Sequence, residues 1–244
     1  MPHPAEQGVT HVIFDMDGLL LDTEPLYTAA TEAVAARHGS TEPSRLPIAF
    51  TWDLKVRQMG LPSKELAELL VKELKLPISA EQYTREAREV QERTFPTCRL
   101  LPGAEALVRH LHAQGTPIAV ATSSPRETFD LKTTSHRELF ALFHHVVCGS
   151  SDPAVRRGKP APDIFEVCAS RFEGGAPPAA QCLVLEDSPA GVRAALAAGM
   201  RCLMVPEERM FDTPEHIPAG ATLVVRSLEE LPPAELLAAC STYW

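Results

Sequence analysis

The length of 244 residues, 45% of them hydrophobic, suffices for one large domain or for a core with a smaller second unit. The net charge of −9 argues against a nucleic acid polymer or an anionic membrane surface as a partner. No stretch of about 18 apolar residues is present to span a bilayer, and the first ten residues lack the pattern of a secretory signal, so we expect a cytoplasmic protein with no membrane partner.

The first predicted element is a short buried strand, residues 12–14, which ends in two closely spaced carboxylates. Asp15 and Asp17 follow the strand, and Gly18 permits a sharp turn directly afterwards. Because side chains two residues apart on extended chain point the same way, both carboxylates can share one site at the carboxyl edge of a sheet. Their repulsion calls for a shared proton or a cation, and Mg²⁺ is the first candidate because it prefers oxygen ligands. An ordinary acidic turn is the alternative.

A helical segment follows this turn. Helical periodicity is present in three stretches, residues 24–38, 64–76 and 80–94. No strand pattern interrupts them, so we predict an inserted α-helical cap domain over residues 24–95. The core then comprises residues 1–23 and 96–244.

The rest of the chain alternates between strands and helices. Strands are predicted at residues 117–121, 146–148, 182–185 and 202–205, and helices at residues 104–114, 163–171 and 190–198. This alternation predicts the α/β class, with a Rossmann-like parallel sheet core, helices on both faces and right-handed crossovers.

Three groups of polar residues lie at the ends of these strands or in the loops beyond them. Thr122 and Ser123 offer a hydroxyl and a backbone amide to a phosphoryl oxygen, and Lys159 offers a positive charge that would stabilise a transferring phosphoryl group. Glu186 and Asp187 follow the strand at 182–185. Taken singly, each group has an ordinary structural alternative, namely a turn, a surface lysine, or acidic residues at the start of a helix.

Taken in order, these motifs resemble those of the haloacid dehalogenase-like hydrolases, in the subgroup with a helical cap. The run FDMDGLLLDTEPLY is similar to the first motif, and the later groups stand in the places of the second, third and fourth. The resemblance implies that Asp15 is the nucleophile and Asp17 the general acid/base. It also implies a Mg²⁺ site formed by the carboxylates of Asp15 and Asp187 and the backbone carbonyl of Asp17, with Glu186 as a secondary or water-mediated ligand.

The expected activity is therefore Mg²⁺-dependent hydrolysis of a phosphate monoester through an aspartyl-phosphate intermediate. Thr122, Ser123 and Lys159 would bind the phosphoryl oxygens. A dehalogenating member would lack the second aspartate, so Asp17 favours phosphoryl chemistry. The runs ATSSPRETFDLKTTSHRELFALF and LVLEDSPAGVRAALAAGM are most similar to those of pseudouridine-5′-phosphatases, which implies pseudouridine 5′-phosphate as the small phosphorylated metabolite that is bound.

Three alternatives stay open at this stage. They are a glycerol-phosphate or broad sugar-phosphate phosphatase, a mutase similar to β-phosphoglucomutase, and a binding module without catalysis. The cap sequence at residues 59–62 departs from the pseudouridine-5′-phosphatases, and the cap residues Trp52, Arg57 and Lys64 could contact substrate or form a solvated helix face. A monomer is expected, with a dimer as the alternative.

The remaining cysteines and histidines are predicted to be structural. The six cysteines form no CxxC pair, which disfavours a zinc site or a disulfide framework. His11, His136, His144 and His145 lack metal-ligand spacing with a third partner.

Overall fold

Short apolar runs form a parallel β-sheet in the computed structural model, which describes residues 8–38, 54, 63–230 and 232–242. The chain divides into two compact units, one made of Met1–Asp22 and Arg99–Trp244 and the other of Thr23–Cys98. The sheet belongs to the first unit and has the strand order β3-β2-β1-β4-β5-β6, with all pairs parallel. Its strands are β1 (His11–Phe14), β2 (Ile118–Thr122), β3 (His145–Cys148), β4 (Cys182–Glu186), β5 (Arg201–Met204) and β6 (Leu223–Val224).

Burial explains why these runs are strands without polar alternation. Every residue of β2, β4 and β5 is buried, as expected for strands covered on both faces by helices. The sheet therefore confirms the predicted Rossmann-like α/β class, and the predicted strands are present with ends shifted by one residue. The short edge strand β6 was not predicted, because two half-buried residues leave too brief a pattern.

The helices of the first unit follow the strands in alternation. They are α4 (Ala104–Ala113), α5 (Arg126–Lys132), α6 (Arg137–Phe140), α7 (Asp163–Ser170), α8 (Pro189–Ala197) and α9 (Pro233–Thr242). Sequence periodicity predicts α4, α7 and α8 to within a residue or two. It does not predict α5 and α6, which are too short for a helical repeat to emerge. It also does not predict α9.

The strand order determines where a ligand can bind. From β1 the chain builds β2 and β3 on one side and β4 to β6 on the other, so the direction of winding reverses between β1 and β4. In open α/β sheets, ligands bind beyond the carboxyl ends of the strands at such a reversal. Asp15 and Asp187, each directly after one of these two strands, lie at this place.

The second unit is helical among its described residues. It contains α1 (Glu24–His38), α2 (Ser63–Glu73) and α3 (Ala80–Thr94), so α1 and α3 have the bounds that the sequence predicts. Helix α2 ends before the predicted residue 76 because Lys75 adopts a left-handed backbone conformation (φ 51°), which closes helices. Residues packed between the helices form a separate core: Val34, Leu54, Ala67, Leu70, Leu74, Leu76, Tyr83 and Ala87.

Several predictions about this unit lie outside the described residues. They concern Trp52, Arg57, residues 59–62 and the side chain of Lys64. The role of the unit as a cap is taken up below as a proposal.

Backbone hydrogen bonds join the chain where it leaves the first unit to where it returns. Asp22 N–H donates to the Arg99 carbonyl at 2.9 Å, and Leu101 N–H donates to the Leu20 carbonyl at 2.9 Å. An antiparallel bridge pairs Leu21 with Leu100 between them. The two ends of the inserted segment are therefore fixed side by side.

The six cysteines are buried, and the histidines His11 and His145 pack against neighbouring residues. All six cysteines are buried free thiols, in agreement with the prediction that they do not form disulfides. His145 hydrogen-bonds the Cys168 carbonyl at 2.9 Å, and the His11 ring packs on Phe172. No helix in the described parts of the chain is long and apolar enough to cross a membrane.

Candidate active site

The end of β1 places Asp15 and Asp17 at the reversal point of the sheet. Asp15 is buried, and its N–H donates to the Leu185 carbonyl of β4 at 2.9 Å, which continues the sheet by one residue. Asp17 is partly exposed, with 23% of its side chain accessible. Gly18 then turns the chain with φ 82°, and its N–H donates to the Leu21 carbonyl at 2.9 Å.

Lys159 connects the carboxylate of Asp15 to that of Glu186. Its ammonium donates to Asp15 Oδ1 and to Glu186 Oε1, both at 2.5 Å, and its side chain is only 6% exposed. Asp15 comes from β1, Glu186 from β4 and Lys159 from the segment before α7. The third motif therefore lies against the first and the fourth, as the sequence predicts.

Burial dominates the electrostatics of this trio. It raises the pKa of Asp15 to about 7, an effect that Lys159 opposes and that Glu186 and Asp17 reinforce. Burial by itself lowers the pKa of Lys159, but the carboxylates of Asp15 and Glu186 outweigh it and raise that pKa above its usual range. Lys159 is therefore a permanent cation at neutral pH, held against the carboxylate that the resemblance predicts to be the nucleophile.

Glu186 is held rigidly by the start of helix α8. Its Oε2 accepts hydrogen bonds from the backbone amides of Asp187 and Ser188, each at 3.2 Å, and from the Ser188 hydroxyl at 3.0 Å. The Ser188 hydroxyl also caps α8 by accepting from Gly191 N–H at 3.0 Å. A methyl group at Gly191 would overlap the Glu186 carboxylate, so glycine is required there. Because both oxygens of Glu186 bind protein donors, its contacts favour an indirect role at a metal.

Asp187 lies against the turn that carries Asp17. A Cβ atom at position 18 would overlap Asp187 Oδ2, so the carboxylate occupies the space that any residue other than Gly18 would fill. The first and fourth motifs therefore meet directly at Gly18.

This contact predicts the effect of Gly18→Ala. We expect it to lower activity at least about tenfold by displacing Asp187, in addition to a cost of about 1 to 2 kcal/mol for a left-handed alanine. Gly115→Ala is the matched control, because Gly115 has φ 70° and, apart from its own chain neighbours, no described atom lies within 4 Å of the place that a methyl group there would take. Phosphate release and thermal unfolding of both variants separate the two effects, and equal activity in the two variants would show that the Asp187 contact is unimportant.

The second motif faces Asp17. The buried Thr122 donates from its hydroxyl to Asp17 Oδ2 at 3.4 Å and accepts from Ser124 N–H at 3.1 Å. Ser123 is exposed, and its carbonyl accepts from the Ser150 hydroxyl at 2.6 Å. The structure thus brings the Thr122 hydroxyl to Asp17 and leaves Ser123 exposed.

Two residues at this site were not found from the sequence. The Ser124 hydroxyl donates to Asp17 Oδ2 at 2.9 Å. Lys132, whose side chain is completely buried, donates to Asp17 Oδ1 and to the Ser124 hydroxyl. The only sequence signal for Lys132 is its position one helical turn after Phe129, a spacing that places both on the buried face of α5.

The donor chemistry is suited to a divalent cation. Asp15, Asp17, Glu186 and Asp187 supply four carboxylates, and Lys132 and Lys159 supply two ammonium groups, so these six groups have a formal net charge of −2 when all are ionised. Within the described residues, however, no three Asp, Glu, His or Cys side chains converge as a metal site. The predicted ligand set therefore stays a prediction.

Comparison with known proteins identifies the class of this site. The model of the haloacid dehalogenase-like hydrolase family matches residues 9–199, and the chain belongs to that family. A Drosophila melanogaster protein named "Probable pseudouridine-5′-phosphatase" is 48% identical over 96% of each chain. The Arabidopsis thaliana (DL)-glycerol-3-phosphatase 1, mitochondrial, is 46% identical over 93% of this chain and 73% of its own.

Solved structures agree on the fold. A Thermotoga maritima protein, described as "putative beta-phosphoglucomutase", superposes with a TM-score of 0.67 at 28% identity, covering 97% of this chain and all of that one. Within the family, the chain is a phosphatase that acts on small phosphorylated metabolites.

Proposed function

We propose that this phosphatase works through an aspartyl-phosphate on Asp15, with Asp17 as the general acid/base. The observation that carries the proposal is the pairing of a buried Asp15 with Lys159, with a second, partly exposed carboxylate two residues further along the chain. A carboxylate nucleophile divides one difficult displacement into two easier ones, since the phosphoryl group passes first to the enzyme and then to water. Asp17 gives a proton to the leaving alcohol and then takes one from the attacking water.

The phosphoryl oxygens have three proposed binding partners. Lys159 supplies a fixed positive charge, which is the main requirement of phosphoryl transfer. Thr122 supplies a hydroxyl and Ser123 a backbone amide at the end of β2. The alternative of a solvated surface lysine is disfavoured by the 6% exposure of the Lys159 side chain.

Mg²⁺ is the proposed cofactor. The carboxylates of Asp15 and Asp187 and the backbone carbonyl of Asp17 would hold it, with Glu186 acting indirectly because its oxygens are bound by Lys159, Ser188 and backbone amides. When bound, the ion supplies positive charge that stabilises the transferring phosphoryl group.

Pseudouridine 5′-phosphate is the substrate we propose, and residues 24–95 are proposed to act as a cap over the site. The proposal of pseudouridine 5′-phosphate is supported by the 48% identity to the Drosophila protein. Glycerol phosphate is the second candidate substrate, because the chain is 46% identical to the Arabidopsis enzyme. The 28% identity to the Thermotoga structure keeps a sugar-phosphate mutase as a further candidate. A cytoplasmic location and a monomeric state remain predictions.

A substrate panel tests this proposal. Phosphate release is measured with pseudouridine 5′-phosphate, uridine 5′-phosphate, glycerol 3-phosphate, β-glucose 1-phosphate and flavin mononucleotide, each with Mg²⁺ and with a chelator. We expect the highest kcat/KM for pseudouridine 5′-phosphate and loss of activity with chelator. A higher kcat/KM for glycerol 3-phosphate would make the protein a glycerol-phosphate phosphatase instead. Formation of glucose 6-phosphate without phosphate release would identify a mutase.

A further inference from the structure

The ammonium of Lys132 is buried in the active site beside the carboxylate that the proposed mechanism uses for proton transfer. No part of the Lys132 side chain is exposed. Placing an ammonium in the protein interior costs several kcal/mol unless it is paired and hydrogen-bonded. Here its partners include Asp17 Oδ1 and the Ser124 hydroxyl, the latter at 2.9 Å. A buried lysine that depends on a catalytic carboxylate is difficult to explain by packing alone.

Donors from three residues contact the Asp17 carboxylate. Lys132 binds Oδ1, while the hydroxyls of Ser124 and Thr122 donate to Oδ2 at 2.9 and 3.4 Å. The Ser124 hydroxyl also accepts a hydrogen bond from Lys132, so the two residues contact each other as well as the carboxylate. Three donors on two oxygens restrict rotation of the Asp17 side chain about its Cβ–Cγ bond.

One βα unit delivers all three donors. Thr122 ends β2, Ser124 lies in the loop that follows, and Lys132 is the last residue of α5. A cation at the carboxyl end of a helix is favoured by the helix dipole. The next residue is anchored, because Thr133 donates from its hydroxyl to the Phe129 carbonyl at 2.8 Å. The position of the Lys132 side chain is therefore set by the fold as well as by Asp17.

Each of the two buried lysines contacts a different aspartate. Lys159 contacts Asp15 and Glu186, whereas Lys132 contacts Asp17. The charges that act on Asp15 are those of Lys159, Glu186 and Asp17. Removal of Lys132 should therefore affect Asp17 first and leave the nucleophile with its own cation.

We propose that Lys132 is a positioning residue that, together with Ser124, holds the Asp17 carboxylate in the orientation needed for proton transfer. This inference rests on the proposed role of Asp17. Lys132 acts on the orientation of the Asp17 carboxylate and does not contact the substrate.

The test compares leaving groups in the variant Lys132→Met. An alkyl phosphate such as glycerol 3-phosphate needs a proton on its departing alkoxide, whereas p-nitrophenyl phosphate releases a phenolate that is stable without one. The parameter is kcat/KM, because it covers the steps up to departure of the alcohol and leaves out the later dephosphorylation that both substrates share. We expect a loss of about 100-fold for the alkyl ester and of less than about tenfold for the aryl ester.

Two further variants show whether Lys132 acts through Asp17. Asp17→Asn should show the same preference for the aryl ester, and the double variant Lys132→Met/Asp17→Asn should be no slower than Asp17→Asn alone, since residues that act as a unit are not additive. Ser124→Ala removes one hydrogen bond to Asp17 and leaves Lys132 paired with the carboxylate. It therefore provides the same test if Lys132→Met does not fold. Lys72→Met, at an exposed helical lysine, is the control and should retain full activity.

Each outcome has a separate meaning. Equal losses for both esters in Lys132→Met and Ser124→Ala would reduce Lys132 to a structural residue and overturn the inference. Full activity of Lys132→Met together with an inactive Asp17→Asn would also overturn it, while leaving the role of Asp17 intact. Full activity of Asp17→Asn on the alkyl ester would instead refute the proposed function of Asp17, on which the inference depends.

Discussion

Asp15→Asn is expected to abolish turnover, with a fall in kcat of more than about 1,000-fold, while the protein stays folded. An amide cannot attack phosphorus as a carboxylate does, yet it has nearly the same shape. Burial, which disfavours the charged form, raises the pKa of this carboxyl group to about 7, an effect that does not act on a neutral amide. Lys159 would retain its contact with Glu186. Phosphate release and thermal unfolding measure the two parts of this prediction.

The matched control is Asp130→Asn. Asp130 lies on α5 with 62% of its side chain exposed, and it should tolerate the same chemical change without loss of activity. Direct evidence for the intermediate comes from quenching the wild type during turnover and reducing it with borohydride, which converts an aspartyl-phosphate to homoserine. Homoserine at position 15 would establish the nucleophile. Retained activity of Asp15→Asn would remove Asp15 from that role.

Lys159→Met is expected to damage both stability and catalysis. It leaves the carboxylates of Asp15 and Glu186 buried without their shared cation, and removing one partner of such a buried pair costs about 3 to 5 kcal/mol. It also removes a positive charge from the phosphoryl site, which we expect to lower kcat by about 100- to 1,000-fold. Denaturant unfolding and steady-state kinetics give the two quantities.

The double variant Lys159→Met/Glu186→Gln separates these two effects. Because it removes a buried negative charge along with the positive one, it should recover part of the lost free energy of unfolding but little of the lost activity. A Lys159→Met protein as stable as the wild type would contradict the buried pairing. If stability and activity recovered in parallel in the double variant, the role of Lys159 would be structural.

The core of the fold could be predicted from the sequence because its strands are continuous apolar runs separated by short turns. The same reasoning placed Asp15 and Asp187 together, since strand ends in a parallel sheet meet at one edge. Lys159 was singled out by the resemblance of its surroundings to the third motif of the family. The structure brings Lys159 to 2.5 Å from both Asp15 and Glu186. The catalytic, phosphate-binding and metal-binding roles of these residues stay predictions until the variants are measured.

Lys132 and Ser124 could not be found in this way. A single lysine in a seven-residue helix has the pattern of a solvated surface, and only tertiary packing buries it. For Glu186 the sequence predicts a secondary or water-mediated role but not the contacts that favour it, namely the amides of Asp187 and Ser188 that donate to one carboxylate oxygen. Side-chain partners that arise from different strands and helices leave no periodic signal in a sequence.

The hydrogen bonds between Asp22 and Arg99 and between Leu101 and Leu20 also bear on how such a protein can diversify. Because the two ends of the inserted segment are already joined, a different segment could be spliced between them without rearranging the strands that carry the aspartates. Insertions are tolerated where both ends lie side by side on a stable framework. Under the proposed roles of the cap and of the aspartates, substrate choice could change by exchange of one continuous stretch of chain, while the residues for the chemistry stay on either side of it.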